Sequence, residues 1–290
     1  MEAGAARPHH ERRLIALGAP AVELVCALGM AESLVARSVW DEFPPVVQGL
    51  PTVGDPFRPD IERILSLSPE LILTDGRFGR MEARMKPLGI EVFPVEGYHP
   101  SEVIPAIRRL AKRLDCERKG EELVAELESL KFFVGRKLAG FPREKRLSGI
   151  MLTDSNELFC VATESGNRFL EDAGAVNLAS GLGHPFPLLS REWLAVKRPE
   201  FILVPVKEGR DVSREIQALR QRLGAFLPSH CRIIAIEEGL TFGLRSFLGI
   251  LKLASELYPS QFVEVDFAEK KVSFMEAFFS KSEHGGVPCP

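Results

Sequence analysis

Residues 115–140 read DCERKGEELVAELESLKFFVGRKLAG. Leu123, Leu127, Leu130, Val134 and Leu138 recur at steps of three and four, the spacing of one helical face. Val124 and Phe133 widen that stripe. Asp115 fits an N-cap with Glu117 in the first turn, Lys137 lies in the last turn, Gly140 fits the position just past the end, and Pro142 forbids resumption. A helix over this stretch is roughly 36 Å long at about 1.5 Å per residue. Alone it would be an ordinary long surface helix. Its flanks give it another meaning.

On both sides short apolar runs alternate with helical patterns. Before the helix, strands are expected at 13–17 (RLIAL), within 33–39, at 70–74 (ELILT) and at 91–95, with helices at 21–28, 60–67, 80–88 and 101–114. After it, strands are expected at 149–152, 157–162, 201–205 (FILVP) and 232–236. Helices are expected at 167–173, after a Ser190 cap, at 212–223 and at 246–257. Runs such as ELILT and FILVP are apolar on both faces, as strands of a parallel sheet covered on two sides must be. Strand–helix alternation on each flank predicts an α/β unit.

The two flanks also repeat each other. Glu62-x6-Pro69-Glu70-x-Ile72-Leu73 is matched by Glu192-x6-Pro199-Glu200-x-Ile202-Leu203, and upstream Gly54-Asp55-Pro56-Phe57 is matched by Gly183-His184-Pro185-Phe186. The expected fold is therefore α/β, with two Rossmann-like lobes of mostly parallel sheets bridged by one long α-helix. The boundaries are a disordered leader at 1–12, a first lobe at 13–114, the bridging helix at 115–140, a second lobe at 141–267 and a partly disordered tail at 268–290. Two such lobes imply a cleft, where ligands tend to bind.

Composition narrows the function. The 290 residues are 45% hydrophobic and carry a net charge of −3 with the signs well mixed. A nucleic-acid binder would normally show a basic field. No run approaches the ~18 apolar residues of a membrane span. Cys26, Cys116, Cys160, Cys231 and Cys289 are scattered without a CxxC pair, so neither a structural zinc site nor a disulfide framework is indicated. The opening MEAGAARPHHERR lacks an apolar h-region. It reads as a cytosolic start or as a chain whose leader has been removed, with His9 and His10 in a loose segment. Motifs for dinucleotides, P-loops, zincins and hydrolase elbows are missing.

Several stretches in this order resemble the class III periplasmic binding proteins of ABC importers, the family that captures cobalamin, ferric siderophores and haem. They are RLIALGAPAVELVCALG, the DEFPP loop, LPTVGDPFRPDIERILSLSPELIL, LGIEVFPV and LLSREWLAVKRPEFILV. The resemblance covers about residues 12–260. It implies two lobes on a rigid helix, a periplasmic or membrane-anchored extracellular location once a leader is removed, and a monomer that is not an enzyme and has no intrinsic cofactor. It also implies docking onto a permease dimer through one acidic residue per lobe, at positions matching Glu62 and Glu192. Read locally, both glutamates sit near the positive end of a capped helix, which favours a carboxylate in any case.

Loops after the strands' carboxyl ends should line the cleft. In the first lobe they carry Trp40, Phe57, Arg58, Arg77, Phe78, Tyr98 and His99. In the second they carry Asn156, Glu157, His184, Phe186, Thr241, Phe242 and Arg245. Aromatic rings offer flat contact to a ring-rich ligand, and guanidinium groups pair with carboxylates or chelate oxygens. An iron chelate, a corrinoid or haem suits that set. Tyr98, His99 and His184 are residue types that ligate haem iron or another metal. A two-lobed chelatase-type enzyme is the alternative, with His184 and Glu157 as its metal pair. A cytosolic carrier of a corrinoid or metal complex is a third reading.

Overall fold

The computed structural model describes residues 12–75, 80–97 and 99–280. The first flank forms β1 (Leu14–Leu17), α1 (Ala19–Ala27), β2 (Leu34–Arg37), α2 (Ile61–Ser66), β3 (Leu71–Asp75), α3 (Arg80–Met85), β4 (Glu91–Val95) and α4 (Pro100–Arg113). Next comes α5 (Glu117–Leu138). The second flank forms β5 (Ser148–Met151), α6 (Glu164–Asp172), β6 (Val176–Asn177), α7 (Arg191–Lys197), β7 (Phe201–Val206), α8 (Val212–Leu223), β8 (Arg232–Glu237) and α9 (Ser246–Leu257), followed by α10 (Phe267–Phe279). The strand orders are β2-β1-β3-β4 and β6-β5-β7-β8, the same order twice. All pairings within them are parallel. β1 and β7 are buried along their whole length, as expected for central strands covered on both faces.

The internal repeat has a physical basis at the amino ends of the sheets. Ser68 and Arg198, each just before a proline, take left-handed backbone conformations with φ of 45° and 51°. The glutamate after each proline then turns back onto the strand it pairs with. Glu70 donates its N–H to Arg13 O (3.0 Å), while its carboxylate accepts from Arg13 N (3.1 Å). Glu200 donates to Ser148 O (2.8 Å) and accepts from Ser148 N (2.7 Å) and Oγ (3.0 Å). The helices before these turns are capped alike. Asp60 accepts from Arg63 N at 3.0 Å and Ser190 from Trp193 N at 3.1 Å, satisfying one orphan N–H of each helix.

α5 is one unbroken helix of 22 residues, about 33 Å long. Leu123, Val124, Leu127, Leu130, Val134 and Leu138 are all buried, so the stripe faces a core along its whole length. Phe133 is half-buried, its ring edge-on to Phe262 at 6.2 Å. Gly120 lets α4 and α5 approach closely: a Cβ there would lie 2.6 Å from that of Ala111. Asp115 does not cap α5. It sits in a left-handed turn (φ 57°) between the helices, and its carboxylate pairs with Arg12.

By packing, the chain divides within α5 and again within α10. One unit ends its first segment at Glu126 and takes up the chain again from Lys271, and the other is Leu127–Lys270. The tail from 268 onwards, expected to be partly disordered, is helical as far as Phe279, with Phe274 buried and Phe279 edge-on to Phe43 at 5.0 Å. Residues beyond 280 lie outside the described set. The expected strand at 157–162 does not form. It makes only isolated antiparallel bridges, Cys160 to Leu152 just after β5 and Phe159 to Leu188 in the 185–189 segment. Pro185 and Pro187 accept from Ala162 N (2.9 Å) and Cys160 N (3.0 Å) but have no N–H to return, so no continuous ladder can build. The edge strand of that sheet is instead the two-residue β6.

Candidate functional site

In the first unit the loops at the carboxyl edge of the sheet are tied down by groups the sequence reading did not single out. Asp41, buried after β2, accepts from Gly18 N (2.9 Å) at the end of β1 and from Ser38 N (3.2 Å). Burial pushes its carboxyl above the ordinary aspartate value, outweighing those hydrogen bonds and the nearby Arg37. Arg37 spreads its guanidinium over three carbonyls: Val47 (2.9 Å), Ser38 (3.1 Å) and Gln48 (3.2 Å). Val39 N donates to Gly54 O at 3.0 Å, joining this loop to the Gly54-Asp55-Pro56-Phe57 turn. Asp55 Oδ1 accepts from both Phe57 N and Arg58 N at 2.8 Å. Gly54 is required there: φ is 84°, and a Cβ would stand 2.6 Å from Arg58 O.

This framework brings Trp40 and Phe57 together, edge to face with centroids 5.8 Å apart, yet leaves them 60% and 69% exposed. Two large rings held rigidly and left in solvent form a platform for an apolar or ring-bearing surface. Arg58 is exposed beside them. Arg77, Phe78 and Tyr98 lie outside the described residues. His99 is not presented to solvent. It is 4% exposed and is the N-cap of α4, with Nδ1 accepting from Ser101 N at 3.0 Å and Glu102 accepting from His99 N at 3.2 Å. It therefore belongs to a capping box, and Nδ1 is already used.

In the second unit the loop after β5 is equally fixed. Asp154 accepts from Asn156 N (2.6 Å) and Glu157 N (3.2 Å), Ser155 Oγ donates to Glu215 (2.6 Å), and Arg222 of α8 donates to the carbonyls of Ser155 (2.8 Å) and Asn156. Asn177, buried at the end of β6, donates to Val161 O (2.9 Å) and accepts from Ala179 N (3.0 Å). His184 is exposed, its Nδ1 accepting from Phe186 N at 3.1 Å, and Phe186 is 44% exposed. Phe242 is half-buried. Thr241 donates to Glu238 O at 2.7 Å. Arg245, expected on a cleft-lining loop, is 7% exposed with its guanidinium against Gly239, so it supports the 238–245 turn from inside.

Among the described residues no three His, Cys, Asp or Glu side chains gather where they could hold a metal ion. The four described cysteines are buried. Burial pushes the thiols of Cys26 to about 12 and of Cys160 and Cys231 to about 11, so none is a thiolate nucleophile at neutral pH. Glu62 and Glu192 are exposed at the second position of α2 and of α7. The Glu192 carboxyl is held below the usual range by its own backbone N–H and then by the Ser190 hydroxyl.

Two α/β units with one strand order, and with polar ties under exposed aromatic loops, define a binding-protein architecture. The chain belongs to the periplasmic binding protein family, whose model matches residues 14–222. It is 24% identical over 199 residues to the vitamin B12-binding protein of Photorhabdus laumondii, a match covering 66% of this chain and 70% of that one. It is also 25% identical over 198 residues to the vitamin B12-binding protein of Yersinia pestis, covering 66% and 69%. Its fold is that of the periplasmic vitamin B12-binding protein BtuF of Vibrio cholerae (TM-score 0.73, 19% identity, 86% of this chain and 98% of that one). It is also that of a periplasmic heme-binding protein of Pseudomonas aeruginosa (TM-score 0.71, 19% identity, 86% and 93%).

Proposed function

We propose that this protein captures an iron chelate, a corrinoid or haem outside the cytoplasmic membrane and delivers it to an ABC importer, without catalysing a reaction. The observation that carries this reading is the Trp40–Phe57 pair, two rings locked by backbone ties and left in solvent at the carboxyl edge of a sheet. A rigid aromatic platform loses little entropy on binding and suits a planar or ring-rich solute. Arg58 supplies a charge for carboxylates or chelate oxygens beside it, and His184 with Phe186 supplies a corresponding set on the second unit. Arg245 and His99 act as supports of this set, since their side chains are enclosed. The family's vitamin B12 and heme binders support the class of ligand. Glu62 and Glu192 are the proposed docking points for the permease, one from each copy of the repeat, with the protein acting as a monomer.

Calorimetric titration with cobalamin, haem and a panel of ferric siderophores tests the proposal. Saturable binding of one of them is expected, weakened about tenfold or more by Trp40→Ala or Phe57→Ala, since loss of a stacking ring is worth about 1–3 kcal/mol. Binding of a neutral sugar or an amino acid, with no response to any chelate, would overturn it.

A further inference from the structure

At the opposite edge of the second unit's sheet lies a pocket of about 290 Å³ lined by Arg143, Arg146, Glu171, Ala175 and Val176. Its position is set by the amino ends of β5 and β6: Ser148 pairs with Val176, and Val176 N donates to Leu147 O at 2.9 Å. The ligand-facing loops follow the carboxyl ends of the same strands, so this pocket is a separate place. It lies wholly within one unit.

Its charges are unusual. Arg143 and Glu171 are exposed and Arg146 is half-buried. Among the described residues none of the three forms an ion pair or a side-chain hydrogen bond, and Arg146 Nε is enclosed without a partner. The arginines before the first unit's sheet behave otherwise. Arg12 pairs with Asp115, and Arg13 donates to Leu67 O at 2.9 and 2.6 Å. The first unit thus satisfies its leading arginines internally, whereas the second leaves two guanidinium groups turned to one pocket. A half-buried guanidinium with no acceptor is poorly compensated, and its planar fork matches an oxyanion. Glu171 adds an acceptor for a donor on the same molecule, and Ala175 and Val176 give an apolar wall.

We infer that this pocket binds a small organic oxyanion, a carboxylate or phosphate that also carries a hydroxyl or ammonium group. The volume is on the order of ten times a water's share of liquid, about 30 Å³, which admits a molecule of roughly ten heavy atoms and excludes a tetrapyrrole. The site is independent of the solute carried by the aromatic platform.

Four probes test it on the full chain by calorimetry: glycerol 3-phosphate and L-malate, each with a donor, and methyl phosphate and succinate, without one. Saturable binding of a donor-bearing probe at about 1 mM or below is expected, together with a higher melting temperature. Arg143→Gln should weaken it about tenfold, and Arg146→Lys should do the same although it keeps the charge, because the fork is lost. Glu171→Gln should erase the preference for glycerol 3-phosphate over methyl phosphate. Trp40→Ala should leave all of this unchanged. Circular dichroism of each variant checks folding, and Arg143, being exposed, gives the variant least open to misfolding. No saturable binding of any probe, or unaltered binding in Arg143→Gln, would overturn the inference.

Discussion

The two units share a scaffold and differ in what they hang on it. At the amino edge of each sheet the same device recurs: a left-handed residue, a proline, and a glutamate that closes onto the leading residue of the neighbouring strand. At the carboxyl edge the units part. The first fixes its Gly-x-Pro-Phe turn with a carboxylate accepting two backbone N–H groups, and the second with one imidazole nitrogen accepting a single N–H. The first anchors its edge-strand loop with buried Asp41, the second with buried Asn177. A repeat is retained where backbone geometry demands it and free to vary where loops meet solvent and ligand.

The strongest way to break this comparison is through the exposed glutamates. If the units are equivalent toward the permease, Glu62→Arg and Glu192→Arg should each cut transport severely in a reconstituted importer, and together abolish it, with solute affinity unchanged. Charge reversal turns an attraction into a repulsion at each contact. A fall in solute affinity as large as the fall in transport would place these residues at the ligand instead.

The Pro-Glu turns sharpen the comparison next. Glu200 is half-buried and accepts from both Ser148 N and Oγ, whereas Glu70 is exposed and accepts from Arg13 N alone. Glu200→Ala should therefore cost about 1–3 kcal/mol and Glu70→Ala clearly less, read from urea unfolding midpoints. Equal losses would mean that burial does not separate the two turns. The caps should differ less. Asp60→Ala and Ser190→Ala should each cost about 1 kcal/mol, since each removes the acceptor for one N–H of a short helix.

Much of the scaffold was legible because its signals are periodic or punctuated. The α5 stripe follows the helical repeat, the central strands are apolar on both faces, and Pro-Glu turns with upstream caps mark both lobes. β6 escaped because two residues carry no period. The 157–162 run misled because an apolar stretch does not reveal that its partner strand is interrupted by Pro185 and Pro187. α10 was missed although a cap signal was present: Asp266 Oδ1 accepts from Glu269 N at 3.1 Å at its first turn. Of the site, Trp40, Phe57 and Phe186 were readable as aromatics on loops and are exposed. His99 had a readable signal that pointed elsewhere: His-Pro-Ser-Glu places a proline at the first helical position and a glutamate at the third. The ties made by Arg37, Asp41 and Arg222 join residues whose pairing has no local spacing, so only the fold exposes them.

The smallest effect concerns the buried ties themselves. Asp41→Asn gives the first unit the neutral anchor that Asn177 provides in the second. Burial raises the folded-state value of Asp41 above its ordinary 3.8. The folded chain therefore holds this proton more tightly than the unfolded chain. Its contribution to stability is fully present below 3.8 and is lost as pH rises through the raised value. An asparagine has no such loss, and its amide oxygen can still accept from Gly18 N and Ser38 N. The stability of Asp41→Asn relative to the parent should thus climb as pH rises above 3.8 through the raised value and level off beyond it. Asp41→Ala is the control. It leaves both N–H groups without their acceptor and should destabilise the protein by about 1–3 kcal/mol at acidic pH, a cost that shrinks as pH rises because alanine, like asparagine, has no carboxyl to titrate. Chemical unfolding of all three proteins across that range separates the cases. If Asn costs as much as Ala at neutral pH, the carboxylate charge itself is favoured at this position, and the two anchors are not interchangeable.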